Sequence, residues 1–131
     1  MFSKSKQQAR IESLIGAGTR VDGNISFSGG LRVDGEIHGN VTAVGNETST
    51  LVVSEQARIE GEITASHLLV NGTVLGPLRC IDFLELQSKA RVSGDVEYNT
   101  IEMHLGAVVD GRLIHQGVPA KTVELKLANT N

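Results

Sequence analysis

The sequence predicts an all-β fold, a right-handed parallel β-helix (a β-solenoid) of about six turns between two short tails. Three observations carry the prediction. A short phrase recurs along the chain, its apolar residues alternate with period two, and the composition joins fifteen glycines to only four aromatics, Phe2, Phe27, Phe83 and Tyr98. Val, Ile and Leu supply most of the apolar content, which suits a narrow interior lined by branched aliphatics. At 131 residues the chain has room for one domain.

Residues 1–14 read as a flexible N-terminal tail. They contain no glycine, "MFSKSKQQAR" carries Lys4, Lys6 and Arg10 without an acid, and "KQQARIESL" has room for a helical turn or two at most. Residues 15–115 hold the repeats: "TRVDGNI" at 19–25, "LRVDGEI" at 31–37, "ARIEGEI" at 57–63, "ARVSGDV" at 90–96 and "AVVDGRL" at 107–113, with "LVNGTV" at 69–74 as a shorter relative. Residues 116–131 break the pattern at Pro119 and read as a flexible C-terminal tail.

Within each copy the period is that of a strand, since successive side chains of an extended chain face opposite ways. Arg32, Asp34 and Glu36 then point one way and Val33, Gly35 and Ile37 the other. The same reading places Arg20/Asp22, Arg32/Asp34, Arg58/Glu60 and Arg91/Ser93 on the outer face. The inward glycines Gly23, Gly35, Gly61, Gly72, Gly94 and Gly111 are expected at corners, where a side chain would meet the opposite wall of the coil. Replacing Gly35 or Gly61 by Val should disrupt folding and assembly together, and Asp34→Asn should be nearly silent.

Spacing sets the size of the coil. Gly94 to Gly111 is 17 residues and Gly61 to Gly94 is 33, close to two coils of 17. At about 4.8 Å per stacked strand, six coils make a rod about 29 Å long. A hexapeptide rhythm, the mark of left-handed β-helices, runs through Ile15, Val21, Phe27 and Val33 and through Ile25, Leu31 and Ile37, then stops. That failure, with a spacing of 17 in place of 18, favours the right-handed form.

The ordered set "RVDGNI", "RVDGEI", "ARIEGEI" and "ARVSGDV", preceded by "IGAGTRVDGNI" and by the opening "MFSKSK", resembles the bactofilins, bacterial cytoskeletal proteins, over about residues 14 to 115. The resemblance implies a right-handed parallel β-helix of about six three-strand turns that polymerises end to end into filaments without nucleotide. It also implies association with the inner face of the cell membrane and a role as scaffold for cell-wall enzymes or polar proteins, with influence on cell shape. Met1, Phe2, Lys4 and Lys6 occupy the places of the family's membrane-contacting tail.

Physical argument gives an independent reason to polymerise. The end coils of a solenoid expose unpaired strand edges, and repeat proteins ordinarily cover them with polar caps. Neither tail reads as a cap, so the end coils are expected to stack on neighbouring copies through Ile15, Val21 and Ile25 at one end and Val108, Leu113 and Ile114 at the other.

Other classes find less support. The net charge is −3 and the basic residues of the start leave the body more acidic still, which argues against nucleic acid as partner. "GAGTRVDG" lacks the Gly-Lys-Ser/Thr ending of a phosphate-binding loop, so no nucleotide cofactor is expected. The alternative function is a left-handed β-helix enzyme, a hexapeptide-repeat acyltransferase or γ-class carbonic anhydrase. The latter needs converging histidines on Zn²⁺, and His38, His67, His104 and His115 stand in dissimilar contexts. No catalytic residue, metal ligand or cofactor is therefore assigned. Cys80 reads as a buried apolar residue and not as a nucleophile. With one cysteine, no signal peptide and no membrane-spanning run, the expected location is the cytoplasm at the inner face of the membrane.

Overall fold

A computed structural model describes residues 10–116, and among them every regular element is a strand. The chain winds as a β-solenoid in six coils, each with three walls. Coil 1 holds β1 (Ile11–Ile15), β2 (Arg20–Asp22) and β3 (Ile25–Phe27), and coil 2 holds β4 (Gly30–Val33), β5 (Glu36–His38) and β6 (Val41–Ala43). Coil 3 holds β7 (Thr50–Val53), β8 (Arg58–Glu60) and the first half of β9 (Ile63–Val70). The second half of β9 opens coil 4, followed by β10 (Thr73–Leu75) and the first half of β11 (Leu78–Leu86). Coil 5 takes the rest of β11 with β12 (Arg91–Ser93) and β13 (Val96–Tyr98), and coil 6 holds β14 (Thr100–Met103), β15 (Val108–Asp110) and β16 (Leu113–His115). Every strand pair is parallel.

Residues 11–14, expected in the N-terminal tail, form most of β1. Ser13, Leu14 and Ile15 pair with Leu31, Arg32 and Val33 of β4. The alternation in "IESLI" supplies the reason: Ile15 shares an inward register with Val33, and Leu14 an outward one with Arg32.

The core is a set of aliphatic ladders, one per wall. Leu31, Leu51, Leu68 and Leu84 stack on the first wall, Ile37, Ile59, Val74 and Val92 on the second, and Val41, Ile63, Leu78 and Val96 on the third, all buried. Each fully buried aliphatic side chain contributes about 1.5–3 kcal/mol, so the stability of the rod is distributed along its length.

The corner between the second and third walls is the regular part of the coil. It is spelled by aliphatic-x-Gly-x-aliphatic pentapeptides: "VDGNI" (21–25), "IHGNV" (37–41), "IEGEI" (59–63), "VLGPL" (74–78), "VSGDV" (92–96) and "VDGRL" (109–113). Their central residues Gly23, Gly39, Gly61, Gly76, Gly94 and Gly111 form one column along the rod, each of the last five set against its predecessor. The absent side chains point along the axis at the preceding coil, not across the interior as the sequence suggested. A Cβ on Gly94 would sit 2.6 Å from the carbonyl group of Gly76, and its φ of +149° also favours glycine. Gly35 and Gly72 belong to a different corner, between the first and second walls, where a Cβ would meet the carbonyl oxygens of Thr19 and Gly16 or of Ser54 and Ala57. "LRVDGEI" and "LVNGTV" are thus out of register with the other copies.

The residue after each column glycine helps to fasten neighbouring coils. Asn24 Oδ1 accepts from Asn40 N–H at 2.8 Å, Asn40 Oδ1 from Glu62 N–H at 2.9 Å, and Asp95 Oδ1 from Arg112 N–H at 3.0 Å. Pro77 takes the same place in coil 4 and brings no N–H to satisfy.

The other corners vary. The aligned residues Arg20, Glu36, Arg58, Thr73, Arg91 and Val108 give coil steps of 16, 22, 15, 18 and 17 residues. The hexapeptide rhythm stops because coil 2 turns directly at Asp34–Gly35. The longest step comes from an excursion over residues 44–49 between β6 and β7.

Candidate functional site

Inward residues that are sealed in the middle coils are open in the end coils. On the third wall Ile63, Leu78 and Val96 are 0–1% exposed, whereas Leu113, next in the same ladder, is 46% exposed. On the first wall Leu86 is buried and its partner Met103 is 44% exposed. Ile101 and Val109 are partly covered, completing an aliphatic cross-section at the last coil. At the opposite end Ile15, Val21 and Ile25 are likewise partly buried against the core, with Ile11 and Leu14 exposed beside them. No seventh coil and no cap lie over either surface among the described residues.

Backbone series point beyond the ends as well. The N–H groups of Gly23, Gly39, Gly61, Gly76 and Gly94 each donate to a carbonyl of the following coil at 2.8–3.0 Å, and Gly111 is the next member of that series. Those of Ile25, Val41, Ile63, Leu78 and Val96 do the same at 2.8–3.0 Å, leading to Leu113. Both series end on the face that exposes Leu113.

Of the six residues expected to make contacts between copies, Ile15, Val21, Ile25 and Leu113 take inward positions of the two end coils. Val108 and Ile114 take outward registers, opposite Arg91 and Glu97. Sequence reasoning missed Ile101, Met103 and Val109, although the alternation in "TIEM" and "VVD" marks them. Met1, Phe2, Lys4 and Lys6 lie outside the described residues.

The outer faces carry ion pairs where the repeats set them. Arg20–Asp22, Arg32–Asp34 and Arg58–Glu60 are 3.1, 2.9 and 2.9 Å apart. Ser54 Oγ also bonds to Asp34, and with the Arg32 guanidinium it holds the Asp34 carboxyl below its ordinary range. Hydrogen bonding from Arg112 does the same to Asp95. A notch of about 430 Å³ opens where the tight corner of coil 2 lies between the wider corners of coils 1 and 3. Its Arg20, Arg58 and Asp34 are already engaged in the ion pairs above.

Cys80 is fully buried, and its thiol lies 3.0 Å from the Phe83 carbonyl and 3.3 Å from that of Ser66. Burial pushes its pKa up to about 12, which keeps it a thiol at neutral pH. Two groups of side chains have metal-ligand chemistry, Glu36/His38/Glu60 and Glu85/Glu102/His104, and each contains a single histidine. Among the described residues no three imidazoles come together.

Comparison with curated proteins and with solved structures returned no match. The family model for bactofilins, described as polymer-forming cytoskeletal, matches residues 13–114, from within β1 to within β16. A six-coil solenoid with an open aliphatic cross-section at each end, matched over nearly its whole described length, belongs to the bactofilin family.

Proposed function

We propose that this chain is a cytoskeletal scaffold that assembles end to end into filaments, without nucleotide, by stacking the end coils of successive copies. The observation that carries the reading is the exposure of Leu113 and Met103 in ladders that are otherwise sealed. Stacking would bury these residues together with Ile15, Val21 and Ile25 and continue the backbone series. The right-handed sense of the coil belongs to the same proposal, since steps of 15 to 22 residues suit it better than a fixed hexapeptide repeat. Negative-stain electron microscopy of the purified chain in nucleotide-free buffer tests the reading. Filaments one solenoid wide are expected, and a monodisperse monomer at high concentration would refute it.

The filament would lie at the inner face of the membrane and position cell-wall enzymes or polar proteins, with an influence on cell shape. Met1 and Phe2 would enter the interface, and Lys4 and Lys6 would each add about 1 kcal/mol on an anionic surface. One tail binds weakly, but a filament presents many. Deleting residues 2–6 should abolish co-sedimentation with anionic vesicles while leaving filaments intact; undiminished binding would remove the tail from the proposal.

A further inference from the structure

We propose that Glu85, Glu102 and His104 form a binding site for one divalent transition-metal ion, such as Zn²⁺ or Mn²⁺, that clips the last coil to the body of the solenoid. Glu85 on β11 and Glu102 on β14 stand directly opposite each other in the parallel register, on the outer face of the first wall. Like charges in that relation repel. The outer-face carboxylates of Asp22, Asp34, Glu55, Glu60, Asp95 and Glu97 each have an Arg or Lys partner; among the described residues Glu85 and Glu102 have neither, a lack they share with Glu36 and Asp82, whose partners are also histidines. The neighbour of Glu85 on its other side is Leu69, which brings no charge.

What the two carboxylates share is one atom. His104 Nε2 lies 3.0 Å from Glu85 Oε2 and 3.1 Å from Glu102 Oε2. A ring nitrogen carries one hydrogen at most, so it offers a single N–H to two acceptors. Gln87 Nε2 donates to the same Glu85 Oε2 at 3.2 Å but brings no charge, and a cation between the three atoms would offset the two facing carboxylates. With metal–ligand bonds of about 2.1 Å, tetrahedral ligands lie about 3.4 Å apart, so the two contacts to His104 need to open by only a few tenths of an ångström, and the ligand atoms all lie within 4.8 Å of one another. One imidazole and two carboxylates suit a first-row transition ion better than Mg²⁺, which favours an all-oxygen octahedron. His104 and Glu102 are partly exposed, which leaves a path for entry and room for water on the remaining positions.

The second cluster provides the control. There Glu36 and Glu60 approach different nitrogens of His38, and Glu60 is also held by Arg58 at 2.9 Å. It has a compensating cation already, although one ligand atom from each of its three side chains also lies within 4.8 Å of the others.

The test is isothermal titration calorimetry of the untagged full chain with ZnCl₂, MnCl₂ and MgCl₂. One Zn²⁺ or Mn²⁺ per chain is expected, with His104→Ala and Glu102→Gln each weakening binding more than about tenfold and His38→Ala leaving it unchanged. Circular dichroism confirms that the variants keep their strands, and the metal should raise Tm in the wild type but not in Glu102→Gln. Absence of binding, or binding that survives His104→Ala or follows His38, overturns the proposal. The site stands independently of end-to-end stacking; only an effect of metal on filament length would rest on that reading.

Discussion

A methyl group on Gly39 would occupy the space of the Gly23 carbonyl, whereas one on Gly16 would meet open solvent. Gly39→Ala should therefore cost about 1–3 kcal/mol or more, visible as a drop in Tm, and Gly16→Ala should be neutral or raise Tm slightly. Asp34 is the opposite kind of residue: the sequence makes it a solvated member of the outer row, and Asp34→Asn looks silent. In the fold it accepts hydrogen bonds from Ser54 across coils and from Arg32 along the strand. Its carboxyl is held below the ordinary value of 3.8, so the stability it contributes is present above that pH and is lost as pH falls through the lower folded value. Asp34→Asn should cost roughly 1 kcal/mol at neutral pH and flatten the acid limb of a Tm-against-pH curve. Ser54 lies 20 positions away in the sequence, and nothing in a period-two pattern announces that contact.

Among the elements, the corners divide into one that sequence specifies completely and two that it does not. The aliphatic-x-Gly-x-aliphatic pentapeptide has the same length in all six coils, and side-chain oxygens of Asn24, Asn40 and Asp95 tie their coils to the next. Any reading that finds this pentapeptide finds the coils. The longer phrase "RVDGEI" hides it, because Arg-Val-Asp-Gly serves the second-to-third corner at 20–23 and the first-to-second corner at 32–35. Local chemistry fits both corners, and only the pairing register distinguishes them. The variable corners depend on contacts between distant residues, as at Ser49. This buried serine closes the 44–49 excursion by accepting from Ser66 N–H at 3.0 Å. Ser49→Ala leaves that N–H without its acceptor and should destabilise by about 1–3 kcal/mol in a denaturant titration.

For the molecule as a whole, folding and the proposed stacking are separable. Leu113 contributes to the end surface but is already half open, so Leu113→Glu should leave the circular dichroism spectrum and Tm nearly unchanged while preventing the chain from pelleting as filaments. Pelleting at wild-type levels would show that the Leu113 surface is not a contact. The two ends were legible in outline, since neither flanking stretch reads as a cap and the end coils were therefore expected to show their ladders. Which residues lie on the cut surface was less so, because Val108 and Ile114 share the apolar character of Leu113 and differ only in facing outward. The excursion at 44–49 carries a different kind of consequence. The third wall of coil 2 ends at Ala43 and the first wall of coil 3 begins at Thr50 in register with Gly30, so the rod tolerates extra chain there, and loop-closure cost rises only slowly with length. That corner is a natural port: a whole reporter domain spliced between Asn46 and Glu47 would ride on the side of the rod, leaving both end faces clear.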